Sequence, residues 1–468
     1  MASDPPPWLP ASPFAGRDLA GYAADLRAGR LTAARATEDL LERQRLLEPR
    51  LQACTHVDAE HALRHARAVD ALLASRVDLG PLMGAPVLLK DLYSVDGMPT
   101  TAGTRLDVRD LVPPQGSFVG QLQRAGCVVL GKTRTTEFAL GGHNLRHGVP
   151  WNPCDPGTPR MTGGSSHGSA VAMAAQTCGF SVGSDTGGSV RWPAALCGVV
   201  GYKASTGRWA CDGVWPLSPQ FDSVGLFTAG AGDAAQVEAA LDRRAPLPVP
   251  APSSLTLAVP RTHFMDNLDP GVAACFDAAL QRLRSAGVRL VERDIPQAGE
   301  IDAVFRLIVP ADLLAFLGRE RVQRHLHDMD PVAAERALAA DALKAEDYLR
   351  IRARSRQIVH EVQALLIGVD AWLAPTVPVQ PAPVAEFRTV EQVAAWNRLA
   401  TQNTRPGNLF DQCGVSLPIH HLGAALPVGL QLCAPGGQDA RLLAIAQAVE
   451  AAVGRPQPAD ARRLLGAP

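Results

Sequence analysis

The run Gly163–Ala194, GGSSHGSAVAMAAQTCGFSVGSDTGGSVRWPA, decides the fold. Two turns rich in glycine and serine bracket it. One is Gly163-Gly164-Ser165-Ser166-His167-Gly168-Ser169, the other Asp185-Thr186-Gly187-Gly188-Ser189. Between them Ala170–Thr177 is alanine-rich and predicts a tightly packed helix. Phe180–Ser184 is short and apolar and predicts a buried strand. Mobile surface linkers seldom enclose a core helix. The pattern of turn, helix, strand, turn therefore sets two clusters of hydroxyls and bare backbone N–H groups at the ends of buried elements, where glycine lets a ligand approach closely.

Working outward, Gly84-Ala85-Pro86 introduces the apolar strand Val87-Leu88-Leu89, which ends in Lys90-Asp91. A lysine closing a buried strand differs from a surface lysine: burial disfavours its charged form, and the neutral amine is a usable base. Gly126–Thr133 matches the phosphate-loop pattern GxxxxGK(S/T) letter for letter. Its middle, Cys127-Val128-Val129-Leu130, is an apolar strand rather than a loop, so a phosphate site is rejected. Gly164–Gly168 matches GxSxG with Ser166 as nucleophile, but that elbow needs an apolar strand before it, and Thr158-Pro159-Arg160-Met161-Thr162 is none.

The remaining chain alternates strands and helices. Asp18–Leu73 predicts helices from apolar spacings near 3.6, with Thr32 as an N-cap, and residues 1–15 form a proline-rich surface arm. Ser117–Arg124 predicts a helix, Cys197–Lys203 a strand and Ala231–Leu241 a helix. The proline-rich Ala245–Ser254 is a long connection inside one fold, because a new strand starts at Leu255. Val272–Ala286 predicts a helix, Val288–Val291 a strand, and Asp302–Arg356 a largely helical region. A strand ending at Thr376, a late strand over Ala425–Leu432 and a closing helix over Arg441–Ala452 complete an α/β layered fold. The domain expected is 16–468, with a core at about 80–230 and a helical pocket region at about 300–390.

Among 468 residues, 47% are hydrophobic and 19% charged, which supports a sizeable core. The net charge of -1 gives no electrostatic ground for a nucleic acid or an anionic membrane as partner. Nine scattered cysteines without a CxxC pair predict reduced thiols and a cytoplasmic setting. The start, MASDPPPWLP, lacks the pattern of a secretory signal, and no apolar run is long enough to span a bilayer. His143 and His147 have no acidic or cysteine neighbours at ligand spacing, and His325 and His327 are expected at the surface. Neither a metal nor a cofactor is expected.

The motifs GAPVLLKD from Gly84, GGSSHGSA from Gly163 and GSDTGGSVRWPAALCGVVGYK from Gly183 resemble the amidase signature hydrolases. Asn408, Gly414, Pro418 and PVGLQL from Pro427 add to the likeness. The resemblance implies one compact domain built on a large mixed, mostly parallel twisted sheet flanked by helices. It implies a triad of Lys90, Ser165 on a cis peptide bond, and the nucleophile Ser189, the two serines twenty-four positions apart as the family pattern asks. Backbone N–H groups at Thr186, Gly187, Gly188 and Ser189 would form the oxyanion hole, and Asp185 and Arg191 an ion pair bracing the turn. Two departures bear on the pocket rather than on the triad. His167 replaces the small residue of GGSS(G/S)GS, and Gly201-Tyr202-Lys203-Ala204-Ser205 replaces GLKPT.

The reaction expected is hydrolysis of a C–N bond through an acyl-enzyme on Ser189, with Lys90 as base through Ser165, since no histidine motif stands near. Trp192, Trp209 and Trp215 follow the nucleophile closely and Trp151 precedes the first turn, which predicts a pocket for a neutral, bulky or aryl amide. His143, Asn144, Trp209 and Arg208 are the residues expected to line it. Carbamate (urethane) or ester hydrolysis by the same steps is the alternative. The rivals are a silent binding scaffold and a component of an amidotransferase-type assembly. The expected partner is a small molecule, and homodimerisation stays open.

Overall fold

In the computed structural model, which describes residues 9–466, the apolar runs either side of Gly163–Ala194 join one sheet. Its strands are β1 Cys54–Val57, β2 Pro86–Lys90, β3 Val128–Thr133, β4 Phe180–Ser184, β5 Val200–Lys203, β6 Val224–Thr228, β7 Thr256–Val259, β8 Arg289–Glu292, β9 Ala371–Pro375, β10 Gln412–Pro418 and β11 Gly429–Pro435. They lie in the order β1-β3-β2-β4-β6-β5-β10-β11-β9-β7-β8. Every residue of β2, β4 and β6 is buried, as befits strands covered on both faces.

The sheet is mixed, as expected, but not mostly parallel. Parallel pairing joins β2 to β3 and β4, and β7 to β8 and β9; the other neighbours run antiparallel. Consecutive strands pair in parallel only through a long crossover connection, usually a helix. Between β10 and β11 the sole helical element is the single turn His420–Leu422, so they pair as a hairpin from Gln412↔Pro435 to Pro418↔Gly429.

The helix after the first turn, His167–Ala174, is buried along its whole length against β2, β4 and the helix Arg191–Cys197. Its small side chains permit that approach. Thr32 caps the helix Ala33–Leu51, its side chain accepting from the Arg35 N–H. The Gly126–Thr133 motif places Lys132 inside β3, where it pairs with buried Asp91 at 3.0 Å.

Three strands depart from the sequence reading. β1 interrupts the stretch expected to be helical, and β6 and β10 lie where only isolated motif residues were read. Of the expected arm, residues 1–8 lie outside the described residues. Leu9 and Phe14 are buried, Phe14 packing on Tyr22 with ring centroids 4.7 Å apart, so this part is anchored rather than laid on the surface. Between β8 and β9 run the helices Ile301–Leu317, Arg319–Arg324, Pro331–Leu338 and Ala345–Leu365. Among the described residues no helix is long and apolar enough to cross a membrane.

Candidate active site

The two glycine-serine turns meet above the ends of β2 and β4. Parallel pairing of these strands, from Val87↔Phe180 to Leu89↔Val182, carries Lys90 to the start of the second turn. Lys90 is fully buried, and its Nζ donates to Ser165 Oγ at 2.6 Å and to Ser184 Oγ at 2.9 Å. Burial pushes the Lys90 ammonium down to about 7, with the negative charges of Asp222 and Asp185 acting against it. The peptide bond between Gly164 and Ser165 is cis. The Ser166 N–H donates to the Ser189 carbonyl at 3.3 Å, which ties the first turn to the second. Among the described residues no hydrogen bond joins the Ser165 and Ser189 side chains.

Ser189 is partly exposed and lines a cavity of about 370 Å³ together with Thr186, Gly187, Gly141, Leu140 and Trp192. Ser166, the nucleophile of the rival elbow, is fully buried. Its Oγ is engaged by the Ser184 backbone, donating to the carbonyl at 3.2 Å and accepting from the N–H at 3.3 Å.

Asp185 shapes the second turn. It accepts from the N–H groups of Gly188 at 2.8 Å and Val190 at 3.1 Å, and from Arg191 Nε at 3.2 Å and Nη2 at 3.1 Å. Asn408 Nδ2 donates to it at 2.8 Å, while Asn408 Oδ1 accepts from Arg191 Nη2 at 2.7 Å. Burial alone would raise the Asp185 carboxyl; Arg191 and these donors outweigh it and hold the carboxyl well below the usual range. Asp185 and Arg191 thus form a buried ion pair at the second turn.

One expected oxyanion donor is not available. The Gly188 N–H is turned to Asp185, with Gly188 at φ +113° and its α-carbon against Thr404, whose Oγ1 would lie 2.0 Å from an added Cβ. The N–H groups of Thr186, Gly187 and Ser189 have no acceptor among the described residues. The Thr186 hydroxyl donates to Asp222 at 2.5 Å, and Thr404 Oγ1 donates to the Gly187 carbonyl at 3.0 Å, which fix this turn from both sides.

The expected pocket residues lie elsewhere. Asn144 uses its side-chain oxygen to accept from the N–H groups of Arg146 at 3.1 Å and His147 at 3.0 Å, building a local turn, and buried His143 beside it does not line the Ser189 cavity. Arg208 is claimed by Glu238, Asp242 and Asp439. Trp209 packs against Phe118 and Tyr202, and Trp215 stacks on Phe138. Both line a second cavity of about 250 Å³, which shares Ala139, Thr186 and Leu217 with the first but does not reach Ser189. Trp151 lies under the Arg50 guanidinium, 3.8 Å from the ring centroid. Of the four tryptophans only Trp192 lines the cavity over Ser189.

Ser184 was not read from the sequence. Its contact with Lys90 follows from strand register, and the signal is a serine directly before Asp185 at the end of a buried strand.

The chain matches the Amidase family across residues 35–443. It is 39% identical to a 2-amino-5-chloromuconic acid deaminase of Comamonas testosteroni, covering 96% of this chain and 98% of that one. It is 33% identical to a glutamyl-tRNA(Gln) amidotransferase subunit of Synechococcus sp. (strain RCC307), covering 94% and 99%. A solved amidase superposes with a TM-score of 0.84 at 32% identity, over 93% of this chain and 100% of its own. With the signature motifs gathered at one buried lysine and two serines, the chain belongs to the amidase signature family, whose enzymes act on C–N bonds.

Proposed function

We propose that the protein is a serine hydrolase that cleaves the C–N bond of a small molecule, with Ser189 as nucleophile and Lys90 as base through Ser165. The observation that carries this reading is the fully buried lysine, held near neutrality by burial, 2.6 Å from the Ser165 hydroxyl. Neutral Lys90 takes the Ser165 proton as Ser165 takes that of Ser189, and the Ser189 oxygen bonds to the substrate carbon. The charge that develops on the carbonyl oxygen meets the free N–H groups of Thr186, Gly187 and Ser189. The C–N bond breaks as the relay returns the proton to the leaving nitrogen. Water then attacks the acyl-enzyme, its proton passing to the same base, and frees Ser189 with the acid product. A carbamate or ester would follow the same path.

The similarity to a deaminase and to an amidotransferase component supports C–N chemistry and leaves the acyl group open. A phosphonate serine probe with mass spectrometry is the test. Label on the Ser189 peptide, lost in Ser189→Ala together with amide turnover, is expected. Label on Ser166 would overturn the assignment.

A further inference from the structure

Four arginines from four helices line the cavity over Ser189: Arg306 from Ile301–Leu317, Arg336 from Pro331–Leu338, Arg398 from Val390–Ala400 and Arg405 from Arg405–Leu409. The carboxylates there are Asp302 and Glu335. Asp302 is committed to Arg405, accepting from Nη1 at 2.6 Å. Arg405 also donates from Nε to Thr401 Oγ1 at 2.7 Å and from Nη2 to the Arg398 carbonyl at 3.1 Å, so its guanidinium is fully held. The side chains of Arg306, Arg336 and Arg398 make no hydrogen bond or ion pair among the described residues. Exposed Glu335 is the one uncommitted acid against three uncommitted guanidiniums.

Arg336 is partly buried, whereas Arg306 and Arg398 are exposed. Burial pushes its guanidinium down to about 10, nearby Arg405 acts the same way, and Glu335 opposes them. A partly buried guanidinium without a hydrogen-bonded partner bears part of the cost of desolvation, and a planar anion held bidentately relieves it. This wall adjoins the second turn: a Cβ on Gly187 would lie 3.1 Å from Phe305 Cε1 and 3.4 Å from Arg405 Cγ. Leu140, Trp192, Val309 and Pro310 line the same cavity with apolar surface. The reacting serine, an apolar flank and a cationic wall thus share one small cavity.

We propose that the substrate carries a carboxylate, and that Arg336 binds it with Arg306 and Arg398 while Ser189 attacks the scissile group. This rests on the assignment of Ser189 as nucleophile. The substrate class is a carboxylate-bearing amide or related C–N compound in place of a neutral aryl amide.

The test uses pairs of aryl phosphonates over a series of linker lengths, each pair differing only in a free carboxylate against its methyl ester. Inactivation rates are read by mass spectrometry of the labelled peptide. At the best linker the carboxylate is expected to label Ser189 about tenfold faster or more than its ester. Arg336→Gln should collapse that ratio, and Arg336→Lys should keep part of it. Ester labelling as fast as the acid at every linker, or a ratio unchanged by Arg336→Gln, overturns the proposal while leaving Ser189 as nucleophile. Labelling at another residue overturns the nucleophile assignment itself. The ratio in the unaltered enzyme is informative even if a variant fails to fold.

Discussion

Lys90 must be neutral to accept a proton, and its burial brings the neutral form within reach of physiological pH. Because the neutral fraction grows as pH rises through about 7, kcat/KM should climb from the acid side and level off on the alkaline side. Lys90→Arg keeps the charge but cannot deprotonate, so turnover should drop about hundredfold or more. A pH–rate profile for both enzymes checks this; a profile flat across neutrality, or a near-normal rate in the arginine variant, contradicts the role. The meeting of Lys90, Ser165 and Ser189 at one place was legible because each sits in a local signal: a lysine ending an apolar run, and serines in glycine-rich turns. The Gly188 N–H was not legible, because its direction depends on the positive φ that lets Asp185 capture it. Nor was the cationic wall: in sequence its arginines are spread from position 306 to position 405, and only packing makes them neighbours.

At the scale of elements, the second glycine-serine turn is braced by a helix distant in sequence. Asn408, on the short helix Arg405–Leu409, accepts from Arg191 and donates to Asp185, bridging both members of a buried ion pair. Removing that amide takes one donor from Asp185 and one acceptor from Arg191, both of them buried. Asn408→Ala should cost about 1–3 kcal/mol of stability. It should also lower kcat more than it changes KM, since Asp185 orients the turn that carries the proposed nucleophile. Denaturant unfolding and steady-state kinetics measure the two effects; unaltered stability would show that the bridge is dispensable. Two of the strands the sequence hid, β1 and β10, lack a clean apolar pattern. β1 is a partly exposed edge strand, Cys-Thr-His-Val, without clean alternation, and β10, Gln412–Pro418, mixes polar and small residues that central position in the sheet buries. Strong apolar runs such as Val87–Leu89 and Phe180–Ser184 announced themselves; strands made by their neighbours did not.

At the scale of the molecule, the sheet that positions the site also takes a lysine out of water in its interior, and the fold must bear that cost. The strand order places β2 between β3 and β4, with Lys90 fully buried at its end. In the unfolded chain the lysine holds its proton up to about pH 10.4. In the folded protein it gives the proton up near pH 7. Between these values the unfolded state binds more protons than the folded one, so stability rises with pH there. The cost of burying Lys90 is full below the folded value and is relieved as pH climbs toward the unfolded one. Lys90→Met keeps an unbranched side chain of similar length and removes the titration. Around and below neutrality the variant should gain in stability relative to the native enzyme, offset by the lost bonds to Ser165 and Ser184. As pH rises from about 7 to about 10, the native enzyme should recover against the variant by up to about 1.4 kcal/mol per pH unit. Other titrating groups are common to both proteins and cancel in the difference. Denaturant unfolding of the pair at a series of pH values gives that difference directly; one that stays constant across the window would mean that Lys90 keeps its proton in the folded protein and does not serve as the neutral base.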